Sequence, residues 1–519
     1  MKKYCKLVCL SVALSMLFLV LAGCGAKQEP KGDAPAKSEQ SQAAPQEKSA
    51  SEEKKEPLKE AALTFYFPGE AKKDTRMVLD EAEKRLKDSL NVKLNFNFIP
   101  WGDYTNKINV LIASGDEYEV HFDADWFMFP ILSQKGALLD ITEMLPKYAP
   151  KIYEKEADVF KKVRVNGKIM SVPWYYPKND RVTAVVREDL KAKHGIPDIM
   201  TFEDYEFYLK TLKEKEPGII PYASGVNRNI QEFYVYGDYA VLSFPLDLVY
   251  KWDDKNMKVI PWEQTPEYKQ IIEIKRRWYE NGYMPKDMFS VQDFTADLTD
   301  GKVTSILHVW NEIENHNKKV ANTHPGWKFA GYALYPEKVG PKASPMNNAV
   351  VFNANGKNPE RAMMFLEWVR EKQENYDLII FGIEGKHYVL ENGLLKQPHG
   401  VTDADNPYQG WHGQWGLYDI DLHRFSVNDP PNYKQMNIDS ANLNADYVPH
   451  LGFFPNLDGI KNEVAQRQAA YDEMGKLLEY GALPKEKADE YIEKQKKAGT
   501  DKIVSEIQRQ LDEWKAKNK

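Results

Sequence analysis

Cysteine is almost absent from this 519-residue chain: its three copies are Cys5, Cys9 and Cys24, all at the extreme N-terminus. Everything after Cys24 is thiol-free, which excludes disulfides, cysteine-ligated metals and a cysteine nucleophile from the folded part. No G-x-S-x-G elbow, H-E-x-x-H helix, P-loop or G-x-G-x-x-G turn occurs, which weakens serine hydrolase, zincin, NTPase and dinucleotide readings. The ten histidines are dispersed. His412 and His423 lack a close-spaced partner, and His316 and His324 lie in polar sequence, so no metal or other cofactor is expected. Asp403 and Asp405 suggest a calcium loop, but the remaining loop positions do not match one. After the N-terminal segment no run of 18 apolar residues remains to span a membrane. There is no obvious internal repeat. A net charge of −7 argues against nucleic acid and against electrostatic binding to anionic lipid.

What is present begins with Lys2, Lys3 and Lys6, followed by the apolar run Leu7 to Leu21. Leu21-Ala22-Gly23-Cys24 closes it and resembles a bacterial lipobox, in which small residues fit the peptidase and the cysteine thiol takes a diacylglyceryl group. Residues 1–23 are therefore expected to be a cleaved leader, with Cys24 lipidated; an uncleaved anchor is the alternative. Cleavage removes three lysines and no acids, taking the formal charge from −7 to −10. Gly25 to Glu60 carries no aromatic residue and one large aliphatic, Leu58, too little apolar surface to fold. Residues 24–60 thus read as a tether with a reach of roughly 30 to 35 Å.

The folded part from Ala61 is long enough for two lobes. A short strand, Leu63 to Phe67, ends at Pro68-Gly69. In Val92, Leu94, Phe96 and Phe98 apolar residues alternate with polar ones, the period of a half-buried strand. Pro100-Trp101 ends it, Asp103 is placed to cap a helix through Tyr104, Ile108 and Leu111, and a second strand runs from Glu119 to Ala124. Strand, crossover helix and parallel strand put both strand ends on one edge of a sheet, where open α/β folds bind ligands. Trp101, Asp123, Asp125 and Trp126 are expected to meet there. Two indoles and two carboxylates suit a polar ligand with an apolar face, such as a sugar. Beyond them come a hairpin on Asn166-Gly167 and the stiff Pro173-Trp174-Tyr175-Tyr176-Pro177, equally suited to a lobe crossover or a surface loop. A helix capped by Thr201 with Asp204, the aromatic-rich segment around Tyr234, and a strand from Val303 ending just before Trp310 follow. The last helix places Val504, Ile507, Leu511 and Trp514 on one docked face.

Ser114-Gly115-Asp116-Glu117-Tyr118-Glu119-Val120, Lys135-Gly136-Ala137-Leu138-Leu139-Asp140-Ile141-Thr142, Asn166-Gly167-Lys168 with Val172-Pro173, and Phe381-Gly382-Ile383-Glu384-Gly385-Lys386-His387-Tyr388 give the chain its likeness. With the lipobox, it resembles a family 1 extracellular solute-binding lipoprotein of a Gram-positive ABC sugar importer. Glu119 stands where the family more often has Asp. The tail from Ala498 to Trp514 is similar to a branch assigned to aldouronate or pectin-type oligosaccharides. The resemblance implies a two-lobe, periplasmic-binding-protein-like class II fold, each lobe a mixed sheet flanked by helices. Lobe 1 would take 61–178 plus 347–385 and lobe 2 would take 179–346 plus 386–519. The crossings would fall near Tyr176 to Arg181, Pro341 to Asn348 and Gly382 to Tyr388. Ligand contacts carried over from the family are Pro68, Trp101, Asp125, Trp126, Trp174, Tyr234 and Trp310, with Asp123 and Glu384 as further acceptors for sugar hydroxyls. Trp411 and Trp415 join on composition. An acidic sugar would call on Arg181, Arg228 or Lys386. The implied partners are an oligosaccharide, derived from plant polysaccharide, and ABC permease subunits, with membrane attachment through Cys24 on the outer face of the cytoplasmic membrane. The protein is expected to be a monomer without catalytic activity. A surface-anchored glycosidase is the alternative, because its two carboxylates assemble only in space; a lipoprotein adhesin or sensor is the third class.

Overall fold

In this computed structural model the described residues are 58–175, 182–223, 238–243, 246–287, 294–309, 313–321, 323–338, 340–342, 344–402, 405–408, 416–429, 434–435, 438 and 446–518. Cys24 and most of the expected tether lie outside them.

Alternating apolar residues build the first sheet. Strand β1 (Ala61–Pro68) runs parallel to β2 (Val92–Ile99) in unbroken register from Ala61 opposite Val92 to Pro68 opposite Ile99. Leu63, Phe65, Phe67, Leu94 and Phe96 turn inward and are buried. The intervening helix Thr75–Leu86 covers them with Val78, Leu79, Ala82 and Leu86. Helix Trp101–Ala113 then crosses over to β3 (Val120–Asp123), which pairs parallel with β1 on its other side. The helix begins at Trp101, not after the expected cap at Asp103. Pro100 is the last extended residue, at ψ 140°, and Asp103 sits in the first turn, where its charge complements the helix dipole. The Asn166-Gly167 hairpin turn is present, both residues having positive φ between Val165 and Lys168.

Strand β4 (Ser171–Pro173) ends this first passage. The chain next builds β5 (Val182–Arg187), β6 (Ile220–Tyr222), the antiparallel trio β7 (Tyr239–Ser243), β8 (Leu248–Lys251) and β9 (Ile260–Pro261), then β10 (Val303–Val309) and β11 (Phe329–Ala333). The second sheet has the order β11-β5-β10-β6. Only then does β12 (Ala349–Phe352) return to the first sheet, inserted between β3 and β4 and antiparallel to both. Two sheets joined by crossings after β4 and after β11 give the two-lobe α/β architecture that the resemblance implies.

Each sheet has its own core. Phe65, Phe122, Val350 and Phe365 belong to the first. Tyr205, Tyr208, Tyr222 and Trp278 fill the second under helix Phe202–Lys215, whose Thr201–Asp204 capping box is complete. A third core joins the β7–β9 trio to helix Thr500–Lys517 through Tyr250, Ile503, Ile507 and Leu511, so the periodic face of the last helix is docked.

The third expected crossing falls elsewhere. Gly382–Tyr388 stays with the first lobe: Lys386 and His387 both reach Asp74 at 2.9 and 3.2 Å, and Tyr408 and Leu417 lie in the first core. The chain after 386 therefore does not pass directly to the second lobe. It remains against the first through Asp419, paired with Lys155 at 2.7 Å. From Val448 to Leu457 it touches both lobes: Leu451 and Phe454 pack on the first core, Val448, Phe453 and Leu457 on the third.

Candidate functional site

The ends of β2, β1, β3 and β4 and the start of β12 form one edge, and aromatic side chains stand along it. Trp101 opens the helix after β2, and Trp126 lies in the turn after β3. Their rings are 6.3 Å apart at 36°, and each is 39% exposed. Phe122 and Phe127 hold Trp101 from below at 5.7 and 5.8 Å, and Phe127 also sits 5.4 Å from Trp126. The crossing from β11 to β12 locks the turn. Asp125 N–H donates to the Met346 carbonyl at 3.1 Å, and Trp126 Nε1 donates to the Asn347 carbonyl. Trp174 follows β4, its N–H donating to the Asn348 carbonyl at 3.1 Å and its ring 5.8 Å from Tyr418. Four strand spacings separate the Trp101 end of this rim from the Trp174 end, roughly 19 Å. Indoles fixed in this way present flat apolar faces beside backbone polar groups.

Several expected site residues do other work. Asp123 is fully buried. Its Oδ1 accepts the N–H groups of Ala124, Met128 and Phe129 at 2.7, 3.0 and 2.9 Å, so it fixes the turn that carries Trp126 and offers nothing to a ligand. Pro68 is buried, in register with Ile99. Glu384 is exposed, in a turn whose Lys386 and His387 reach Asp74 at the start of helix Thr75–Leu86. Lys386, a candidate for an acidic sugar, is held by Asp74, whose carboxyl it draws below its ordinary range. Tyr234, Trp310, Trp411, Trp415, Arg181 and Arg228 lie outside the described residues. The partner of Trp310's strand end is nevertheless placed: β10 finishes at Val309 opposite Val182, the start of β5 and the side from which the chain arrives from the first lobe.

Beside Asp125 and Trp126 opens a cavity of about 750 Å³. Ile131 and Gln134 of the first lobe, Lys342 and Asn347 of the crossing, and Val241 to Ser243 of β7 also line it. The remaining wall was not foreseen: it is Val448 to Asp458 together with helix Lys461–Ala470. The sequence there has no strong apolar period, and its polar residues read as ordinary surface. His450 in this wall is buried, its Nδ1 2.8 Å from the Tyr250 hydroxyl, and burial brings its pKa down to about 4. Among the described residues no group of three or more His, Cys, Asp or Glu side chains could hold a metal.

Residues 75–376 match the family described as bacterial extracellular solute-binding protein, and residues 449–516 match a domain of unknown function. A carbohydrate ABC transporter substrate-binding protein of Streptococcus pneumoniae is 27% identical over 471 residues, spanning 88% of this chain and 91% of its own length. A polygalacturonan/rhamnogalacturonan-binding protein of Bacillus subtilis is 22% identical over 325 residues, 60% of this chain and 64% of its own. Among solved structures, the N-glycan transport solute binding protein of Streptococcus pneumoniae superposes with a TM-score of 0.75 at 23% identity, over 88% of this chain and 100% of that one. An alginate-binding protein gives a TM-score of 0.61 at 18% identity, over 87% and 98%.

Proposed function

The chain belongs to the bacterial extracellular solute-binding protein family, and from that membership we propose that it captures an oligosaccharide outside the membrane and delivers it intact to an ABC permease. The observation that carries the ligand class is the Trp101–Trp126 pair, whose Trp126 lines the cavity. Sugar rings have a C–H face that packs on an indole and hydroxyls that seek amide and carboxylate groups, and the site supplies both. The length of the rim suits several linked sugars better than one. Relatives that bind N-glycan and pectin-type chains support the class. Lobe closure on the ligand would be the output read by the permease. The lipobox supports anchoring through Cys24, and Cys24→Ala is expected to release the protein into the medium.

The test is calorimetric titration of the purified domain with a panel of mannose-bearing N-glycan fragments, fructo-oligosaccharides, oligogalacturonates, and neutral and uronate-substituted xylo-oligosaccharides. Saturable binding with the sugar recovered intact is expected. Turnover of any member at enzymatic rates would make the protein a glycosidase, and no binding across the panel would leave the adhesin or sensor reading.

A further inference from the structure

We propose that the C-terminal module, residues 449–516, is the selectivity wall of the oligosaccharide cavity, so that it decides which sugars the receptor accepts. This rests on the receptor reading above and assigns a role to a segment whose family model is described as a domain of unknown function.

The module is set rigidly on the second lobe. Arg467 directs its guanidinium to both oxygens of Glu263 at 2.9 and 3.0 Å, to the Leu246 carbonyl at 2.9 Å and to Gln495 at 3.1 Å, all in buried surroundings. Leu246 lies just beyond β7, whose last residues face the cavity, so one guanidinium fixes two parts of the same wall. The last helix holds the approach to it: Gln510 accepts from the Asn456 N–H and donates to the Asn456 carbonyl, both at 2.8 Å. On its other side the module reaches the first lobe, where Phe454 packs 5.4 Å from Phe129 and its carbonyl accepts from Gln134.

Within this frame helix Lys461–Ala470 has two working faces. Arg467 and Ala470 are buried on the face toward the second lobe. Ala465 and Gln468, three apart and therefore neighbours on the helix surface, line the cavity, as does Val464, which also packs on the third core. Ala465 and Gln468 are exposed, so this pair is not core. A helix serving stability alone would turn one stripe inward and the remainder to bulk solvent. Here the exposed pair lines the same cavity as the Trp126 indole. A small apolar residue beside an amide matches a sugar's alternation of C–H and hydroxyl groups, and the size of the side chain at 465 sets how much sugar fits.

Ala465→Trp and Gln468→Ala test this against Gln466→Trp, which lies on the same helix outside the cavity, with Trp126→Ala as reference. Each is titrated with the oligosaccharide panel, and its thermal unfolding is recorded. Ala465→Trp is expected to weaken the preferred sugar at least tenfold without moving the unfolding midpoint. Gln466→Trp should bind as the unaltered protein does, and Gln468→Ala should change the ranking of sugars rather than weaken all alike. Should Ala465→Trp fail to fold, the ranking with Gln468→Ala decides. If Ala465→Trp folds and both variants bind every sugar as the unaltered protein does while Trp126→Ala loses affinity, the wall assignment is wrong and the receptor survives. If the unaltered protein binds no member of the panel, both fall.

Discussion

Arg370 donates to Glu156 at 2.9 Å with both side chains almost wholly buried, and the same guanidinium reaches the Pro173 carbonyl at 2.9 Å. A helix of the first core is thereby tied to the residue that precedes Trp174. Burial pushes the Glu156 carboxyl up to about 7, against the pull of Arg370.

Arg370→Met is expected to destabilise the protein by about 3 to 5 kcal/mol, because it strands a buried carboxylate. The loss should be smaller at pH 6, where Glu156 takes a proton, than at pH 8. The raised pKa means that this carboxyl's contribution is full below its unfolded value and is lost as pH rises through about 7. Glu156→Gln should flatten that decline. Urea unfolding at a series of pH values checks both, and equal losses for Arg370→Met at pH 6 and pH 8 would contradict the account.

Trp101→Ala, Trp126→Ala and Trp174→Ala are each expected to weaken oligosaccharide binding about tenfold or more, equivalent to about 1.4 kcal/mol. The first two indoles are partly exposed, so circular dichroism should stay native. Unchanged affinity in all three, with native spectra, would make the rim structural.

His450 is neutral in the fold and has its pKa lowered to about 4 by burial. A histidine depressed in this way contributes stability above its unfolded value, near 6.5, and loses it as pH falls toward 4. The full swing is on the order of 3 kcal/mol. His450→Gln should reduce the acid sensitivity of the third core in that window, measured as the difference in unfolding midpoint between pH 7 and pH 4.5. An equally steep fall in the variant would assign the acid loss to other groups.

Gly452 has φ +86°, and a Cβ there would stand 2.5 Å from the Arg164 carbonyl oxygen. Gly452→Ala is therefore expected to cost about 1 to 3 kcal/mol and to loosen the passage between lobes. Hydrogen exchange should show faster opening around Phe454. Protection equal to that of the unaltered protein would show that the backbone absorbs the methyl group.

The strands of the first sheet are legible in sequence because alternation reports directly which face is buried; β2 and its register follow from Val92, Leu94 and Phe96. The rim is legible for the same reason, since parallel strands joined by a crossover must end on one edge. What alternation cannot convey is where a polar side chain finds its partners. Asp123 sits on the right edge, yet the turn it caps curls three amides onto it. Gly382 to Tyr388 is a compact motif whose partner is Asp74, distant in sequence, so its place in the first lobe could not be read locally. Ala465 and Gln468 share their cavity with Trp126 and with the crossing after β11, elsewhere in the chain, so their local sequence does not set them apart from ordinary surface.

Strand β12 has a consequence for biosynthesis. Asp123 pairs with Ala349, and Pro173 pairs with the same residue from the other side. A chain made from its N-terminus exposes two open strand edges, those of β3 and β4, until the whole second sheet has been synthesised. The first lobe, although it begins the folded sequence, cannot be the first to finish. A product truncated before Ala349 would keep those edges as templates for aggregation, and the late arrival of one four-residue strand makes completion of that lobe a checkpoint on full-length synthesis.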